Sequence, residues 1–136
     1  MADVTVKRLE EMETTFDGGM YRARASLDAS SFGMQVIEMQ PDADWYPDHN
    51  HAGEPTGDGQ EEIYTPLRGS ATLIAGDEQF ALEPGTFARV GPAQKRKLVP
   101  GDEGVRMLCL GAMPGKAYEA PEFTELGAPP PQPPQS

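Results

Sequence analysis

The sequence has few of the residues that mark several common classes of protein. Only one of its 136 residues is a cysteine, Cys109, so no disulfide can form within the chain. No apolar run approaches the roughly 20 residues that cross a bilayer, and the N-terminus lacks the basic-then-apolar order of a signal peptide. We therefore expect a single-domain cytoplasmic protein in which Cys109 is a buried and unreactive thiol.

Positive charge is also scarce. The chain has 11 Lys and Arg residues against 22 Asp and Glu residues, which gives a net charge of -11 and argues against nucleic acid as a partner. No Lys or Arg lies between Arg24 and Arg68, whereas this stretch holds the acidic residues Asp28, Glu38, Asp42, Asp44, Asp48, Glu54, Asp58, Glu61 and Glu62. Such a negative field either favours solubility or attracts a cation.

Glycine and proline interrupt the sequence too often for long helices. The 15 Gly and 14 Pro residues separate short runs that are rich in β-branched and aromatic residues, which predicts an all-β fold. A turn about every ten residues is typical of a sandwich or small barrel. The predicted strands are Met20–Ser26, Phe32–Met39, Ile63–Arg68, Ser70–Ala75, Gln79–Leu82, Thr86–Val90, Arg96–Val99 and Val105–Gly111. We expect Glu62–Arg68 to pair with Ser70–Ala75 through a turn at Gly69.

The two ends of the chain differ from this central part. We expect an N-terminal arm over 1–19, a β-barrel domain over 20–115 and a C-terminal segment over 116–136. Val6, Leu9, Met12 and Phe16 recur at near-helical spacing, which fits a short amphipathic helix or an arm lying on the barrel. The last ten residues read GAPPPQPPQS, a composition that predicts a disordered proline-rich tail.

The two histidines of the chain form an H-x-H pair, His49 and His51. Residues two apart on an extended strand point to the same side, so both imidazoles can converge on one point. Glu62 opens the next predicted strand and would add an anionic oxygen. Two imidazoles and one carboxylate are a ligand set for a divalent ion, and Zn, Mn, Fe and Ni are not distinguished by it. The alternative is a pair of histidines that hydrogen-bond locally.

This arrangement resembles the first motif of the cupin superfamily, G-x5-H-x-H-x(3,4)-E-x6-G. The string from His49 reads HNHAGEPTGDGQEEIYTPLRG, in which Glu62 is followed after six residues by Gly69. Downstream, EQFALEPGTFARV (Glu78–Val90) is similar to the strands that lead into the second cupin motif. The resemblance covers about residues 30–112. It implies a jelly-roll β-barrel of two antiparallel sheets, a homodimer, a pocket inside the barrel, and His49, His51 and Glu62 as metal ligands.

The sequence departs from the family pattern in three places. Ala43 stands where the first motif opens with glycine, and ten residues separate His51 from Glu62. The inserted loop, Ala52–Glu61, is either a lid over the barrel mouth or an inert surface insertion. In the second motif the family's histidine is replaced by Arg96, whose guanidinium has no lone pair and cannot bind a metal.

Three functional hypotheses follow from these residues. In the first, the protein binds a divalent metal ion and a small-molecule ligand, and is a metal-dependent enzyme of oxygenase or isomerase type. In the second, it is a metal-free cupin that binds or senses a small molecule, with Arg96, Tyr64 and Trp45 as ligand contacts. In the third, the metal site is vestigial and the protein acts through its dimer surface. Phe87 and Met107 are further candidates for the pocket wall.

The orientation of Arg96 decides between several of these expectations. Strand alternation turns inward either Arg96 or both Lys95 and Lys97. An inward Arg96 needs a partner, and the candidates are Glu62 and an anionic ligand. A bidentate pair with Glu62 would compete with a metal ion for that carboxylate.

Overall fold

The computed structural model describes residues 2–52 and 58–130, and its elements are almost entirely β-strands, as predicted. The strands are β1 (Thr14–Thr15), β2 (Met20–Tyr21), β3 (Gly33–Met39), β4 (Glu61–Ala75), β5 (Glu78–Leu82), β6 (Ala88–Val90) and β7 (Lys97–Ala112). One short α-helix, α1 (Ala23–Leu27), and the 3-10 turns Leu9–Glu11 and Glu122–Thr124 complete the described elements.

The strands form an antiparallel sheet in the order β1-β2-β3-β7-β4-β5, with β6 paired to β4. The sheet curves around the core but does not close, because β1 and β5 remain its two edges. Strands β4 and β7, of 15 and 16 residues, pair along most of their length and carry much of the core. Tyr64, Met107 and Leu98 are among the most deeply buried side chains of this core.

The predicted hairpin at Gly69 is wrong. Strand β4 continues through Gly69, where register shifts in its pairing with β7 mark a bulge. Gly69 has a φ of +73°, and a Cβ there would lie 2.1 Å from the carbonyl oxygen of Gly104. The predicted break between the strands Arg96–Val99 and Val105–Gly111 is also wrong, since Pro100, Gly101 and Asp102 lie within β7. A Cβ at Gly101 would lie 2.1 Å from Ser70 Oγ, so Gly69 and Gly101 both permit close contact between β4 and β7.

The N-terminal predictions also need correction. The predicted strand Met20–Ser26 ends at Tyr21, and Ala23–Leu27 is helical up to the left-handed cap residue Asp28, at φ 58°. Instead of an amphipathic helix, the N-terminal arm has one 3-10 turn, and its Val6 is 85% exposed. The arm joins the sheet at β1, because Thr14–Thr15 pairs with Met20–Tyr21.

Several parts of the chain lie at the limits of the described residues. The predicted lid, Ala52–Glu61, contains residues 53–57, which lie outside the described part, as do the last residues of the proline-rich tail, 131–136. Among residues 2–52 and 58–130, no helix has both the length and the apolar character needed to span a membrane.

Candidate metal centre

Two backbone segments place the histidines beside each other. His49 forms an antiparallel bridge with Arg96, in which the His49 N–H donates to the Arg96 carbonyl at 2.9 Å and the Arg96 N–H donates back at 2.8 Å. Two residues on, the His51 N–H donates to the Pro92 carbonyl at 2.8 Å. The segment is therefore extended along residues 92–96, and its two imidazoles share a side.

Glu62 reaches the same point from β4. It lies between Val90 on β6 and Gly111 on β7, and its side chain is buried on the inner side of the sheet. Ligand atoms of His49, His51 and Glu62 all lie within 4.8 Å of one another. The structure thus brings together the three residues that the sequence motif selected, across a sequence separation that includes the inserted loop.

Hydrogen bonds fix the tautomer of both imidazoles. His49 Nδ1 lies 3.0 Å from the Pro47 carbonyl oxygen, and His51 Nδ1 lies 2.8 Å from Asp58 Oδ1. A carbonyl and a carboxylate only accept hydrogen bonds, so each Nδ1 carries a proton and donates it. Each Nε2 is then the atom free to bind an ion, as is common in metal sites where a partner group orients the imidazole.

The free nitrogens and Glu62 converge on one point. His49 Nε2 is 3.2 Å from His51 Nε2, and His51 Nε2 is 2.9 Å from Glu62 Oε1. Three atoms that each present an electron pair repel one another at these distances unless a cation or a proton lies between them. The donor set and its orientation therefore fit a divalent ion.

In the absence of an ion, a proton takes this position. Burial would lower the pKa of His51, but its hydrogen bonds to Asp58 and Glu62 outweigh that effect and raise the pKa to about 9. Burial would likewise raise the pKa of Glu62, but the bonds from His51 and Tyr64 lower it to about 2. The pKa of His49 is lowered, chiefly by burial, so His49 is neutral at pH 7.

A buried set of donors holds the Glu62 carboxylate. The Tyr64 hydroxyl donates to Glu62 Oε1 at 2.7 Å, and the Cys109 thiol donates to Oε2 at 3.3 Å. Because the Tyr64 proton points at Glu62, the Tyr46 hydroxyl donates to Tyr64 at 3.0 Å. Burial keeps the pKa of both phenols well above its usual range, so both stay protonated. Sequence reasoning proposed Tyr64 as a ligand contact and missed the role of Tyr46.

Arg96 faces the interior and is fully buried. Its Nη2 donates to the Gly91 carbonyl at 2.9 Å, whereas Nε and Nη1 have no hydrogen-bond partner within the described ranges. Nη1 lies 3.8 Å from Glu62 Oε1, which is an ion pair but beyond hydrogen-bond distance. The bidentate pair with Glu62 is therefore absent, and the carboxylate remains able to bind an ion.

The other predicted pocket residues do not line the cavity next to the cluster. Trp45 stacks on Phe16 at a centroid distance of 5.4 Å, and Tyr46 lies between Trp45 and His49. Met107 is fully buried in the core, whereas Phe87 is 71% exposed. The cavity next to the cluster is instead lined by Asp58, Gln60, Cys109 and Tyr118, together with His51 and Glu62. Sequence reasoning did not place Asp58, Gln60, Cys109 or Tyr118 at this cavity, because no local pattern links them.

Comparison with known proteins bears on the fold. No protein-family model matches the sequence, and no curated protein sequence matches it. Among solved structures, a cupin protein from Bacteroides fragilis superposes with a TM-score of 0.62 at 17% identity, over 89% of this chain and 93% of that one.

Two further structures are similar. A sugar phosphate isomerase of the cupin superfamily from Silicibacter pomeroyi has a TM-score of 0.61 at 17% identity, over 78% of this chain and 74% of that one. KdgF from Halomonas sp. has a TM-score of 0.60 at 11% identity, over 87% of this chain and 96% of that one. At these identities the likeness establishes the architecture. Together with the strand order, it shows that the chain has the cupin jelly-roll fold.

Proposed function

We propose that the protein binds a divalent metal ion through His49, His51 and Glu62 and a small-molecule ligand beside it. The observation that carries the proposal is the convergence of two Nε2 atoms and a carboxylate oxygen, each oriented by its own hydrogen bonds. Three protein ligands leave coordination positions open for a ligand or water. A bound ion would act there as a Lewis acid that polarises an oxygen of the ligand.

The charges around the site favour a ligand with negative charge. Asp58, Glu62 and Arg96 together contribute one net negative charge, and a divalent ion changes this sum to one net positive charge. An anionic ligand restores neutrality in a site that burial makes intolerant of unpaired charge. We propose an isomerisation or oxygenation of such a ligand, and the similar structure described as a sugar phosphate isomerase supports the first reaction.

The residues around the cluster have separate roles in this proposal. Asp58 holds the Nδ1 proton of His51, and the Pro47 carbonyl does the same for His49. Tyr64 and Cys109 fix the rotation of the Glu62 carboxylate. Tyr64 is fully buried behind Glu62, so it is a positioning residue for the metal ligand.

One observation favours a second candidate function, metal-free binding of a small molecule. With His51 protonated, the two positive charges of His51 and Arg96 balance the two negative charges of Asp58 and Glu62. The site is thus electrically neutral without an ion, which would suit a binding or sensing protein. Metal content distinguishes the two functions.

The test is elemental analysis of protein purified without a histidine tag, before and after incubation with Zn, Mn, Fe or Ni salts. We expect one equivalent per chain, none in His49→Ala or His51→Ala, and a reduced amount in Glu62→Gln, because each change removes an electron pair from the ligand set. Glu61→Gln is the control, since its side chain pairs with Arg89 instead. Absence of bound metal from the unaltered protein under all conditions would contradict the proposal and favour the metal-free function.

A further inference from the structure

The C-terminal segment lines the cavity next to the candidate metal ligands. We call residues 118–128 the strap. The cavity is lined by the site residues His51, Asp58, Glu62 and Cys109 and by the strap residues Tyr118, Pro121, Phe123 and Thr124. A molecule that fills this cavity therefore contacts both the site and the strap.

The cavity is small. Its volume is about 60 Å³, well below the roughly 150 Å³ of a cavity that holds a benzene-sized molecule. The cavity is narrow even where its lining has no side chain. A Cβ at Gly111 would lie 2.2 Å from the Gln60 amide oxygen, and one at Gly33 would lie 2.8 Å from the Tyr118 hydroxyl. An organic ligand requires the strap to move.

Two buried arginines, one at the start of α1 and one within it, attach the strap to this helix. Arg22 Nε donates to the Phe123 carbonyl at 2.9 Å, and its other nitrogens bond the Ala128 carbonyl and the Glu13 carboxylate. Glu13 also accepts a bond of 2.7 Å from the Gly127 N–H. Arg24 forms an ion pair of 3.2 Å with Glu125. The arginines are buried, whereas both carboxylates are partly exposed and accessible to substitution.

The strap is not part of the sheet. It contributes no strand, its regular structure is the 3-10 turn Glu122–Thr124, and its contact with the hydrophobic core is made by Phe123. Segments that lack ladder hydrogen bonds and are held by a few polar contacts open locally at low free energy. We propose that the strap is a gate, and that a ligand reaches the cavity when the strap leaves Arg22 and Arg24. The proposed function supplies the ligand, but the opening itself does not depend on it.

Cys109 offers a direct measure of opening. It is the one cysteine of the chain, it is buried, and it lines the cavity under the strap. Its reaction with an aromatic disulfide reagent should therefore follow the fraction of molecules in which the strap is open. The test compares the unaltered protein with the double variant Glu13→Gln/Glu125→Gln. The matched control is Glu119→Gln, which removes one exposed strap charge that has no ion pair within residues 2–52 and 58–130.

We expect the double variant to react about tenfold faster or more, because charge-assisted hydrogen bonds are among the stronger polar contacts. The control should react at the rate of the unaltered protein. Amide hydrogen exchange should accelerate over residues 118–128 in the double variant alone, while the exchange of β4 and β7 stays unchanged. That second measurement separates strap opening from loss of global stability.

Equal reaction rates in all three proteins would overturn the gate, as would acceleration that extends to β4 and β7. Metal content is measured on the same samples. Full metal content with equal reaction rates would refute strap opening but not the metal site. Faster reaction of the double variant without bound metal would support strap opening and refute the metal site. The two proposals therefore fail separately.

Discussion

At the scale of single residues, Arg96 is the side chain that most distinguishes this site. It stands where the resemblance to cupins places a histidine ligand, and it brings a positive charge to within 3.8 Å of Glu62. That charge opposes the binding of a cation by the same carboxylate. At an effective dielectric constant of 20, two unit charges 4 Å apart interact by about 4 kcal/mol, so the opposition is substantial.

We predict that removing this charge strengthens metal binding. Arg96→His adds an imidazole near the site and Arg96→Met removes the charge alone, so the metal dissociation constant should fall by about tenfold or more in both. Lys95→Met is the control, because Lys95 is 63% exposed and pairs weakly with Asp48. Calorimetric titration with Zn²⁺ measures the constants. Equal affinity in the unaltered protein and both variants at position 96 would show that Arg96 does not oppose the ion.

The sequence was sufficient to select the three candidate ligands but not to orient Arg96. The H-x-H spacing and the carboxylate at Glu62 are local signals, and strand geometry converts them into a shared side. Lys95, Arg96 and Lys97 present no alternation of polarity, so no pattern indicates which of them turns inward. Asp58 and Cys109 approach Glu62 and His51 through tertiary contacts, which single-sequence periodicity does not encode.

At the scale of elements, strands β4 and β7 differ most from expectation. The sequence around Gly69 and that around Pro100-Gly101 both have the composition of a turn, but glycine at positive φ serves a bulge as well as a turn. What decides between them is the close contact of Gly69 with Gly104 on the neighbouring strand. That contact is long-range, so local composition alone cannot reveal it.

We predict that Gly69→Ala is much more destabilising than Gly85→Ala. Both glycines have positive φ, at +73° and +96°, so each substitution has a backbone cost of about 1–2 kcal/mol. A Cβ at Gly85 meets no atom within 4 Å, whereas one at Gly69 clashes with backbone, which adds a further cost of about 1–3 kcal/mol. Urea unfolding measures both variants. Equal free energies of unfolding would mean that the bulge relaxes without strain.

At the scale of the whole molecule, the homodimer remains a prediction from the resemblance. Phe32, Ile63, Leu110 and Ala112 line an open apolar cavity of about 300 Å³ on the outer side of β4 and β7, which suits burial against a second copy. We expect light scattering to give a dimer mass at micromolar concentration and Phe32→Asp to lower it. Phe80→Asp is the control, since Phe80 on β5 has nearly the same exposure, 44% against 43%. A monomer mass for the unaltered protein would contradict the prediction.

The C-terminal segment shows what composition misses at this scale. The final residues from Gly127 read as a tail because they lack large apolar side chains. Yet Gly127 donates to Glu13, and the Ala128 carbonyl accepts from Arg22. These bonds use backbone atoms, which every residue possesses, so side-chain composition gives no sign of them. The all-β architecture, by contrast, follows from features spread over the whole sequence and was predicted correctly.

The pairing of β3 with β7 has a consequence for synthesis of the chain. Gly33 on β3 lies opposite Gly111 on β7, and Met39 lies opposite Val105. Strand β3 therefore cannot form these pairs until β7 has been synthesised. The β4–β5 hairpin joins neighbours and can form while the chain is still being made. The pairs that β7 makes with β3 and β4 at the sheet centre cannot form until β7 has left the ribosome. During that interval the edge of β3 that will pair with β7 presents unpaired backbone groups, which expose the nascent chain to pairing with other chains.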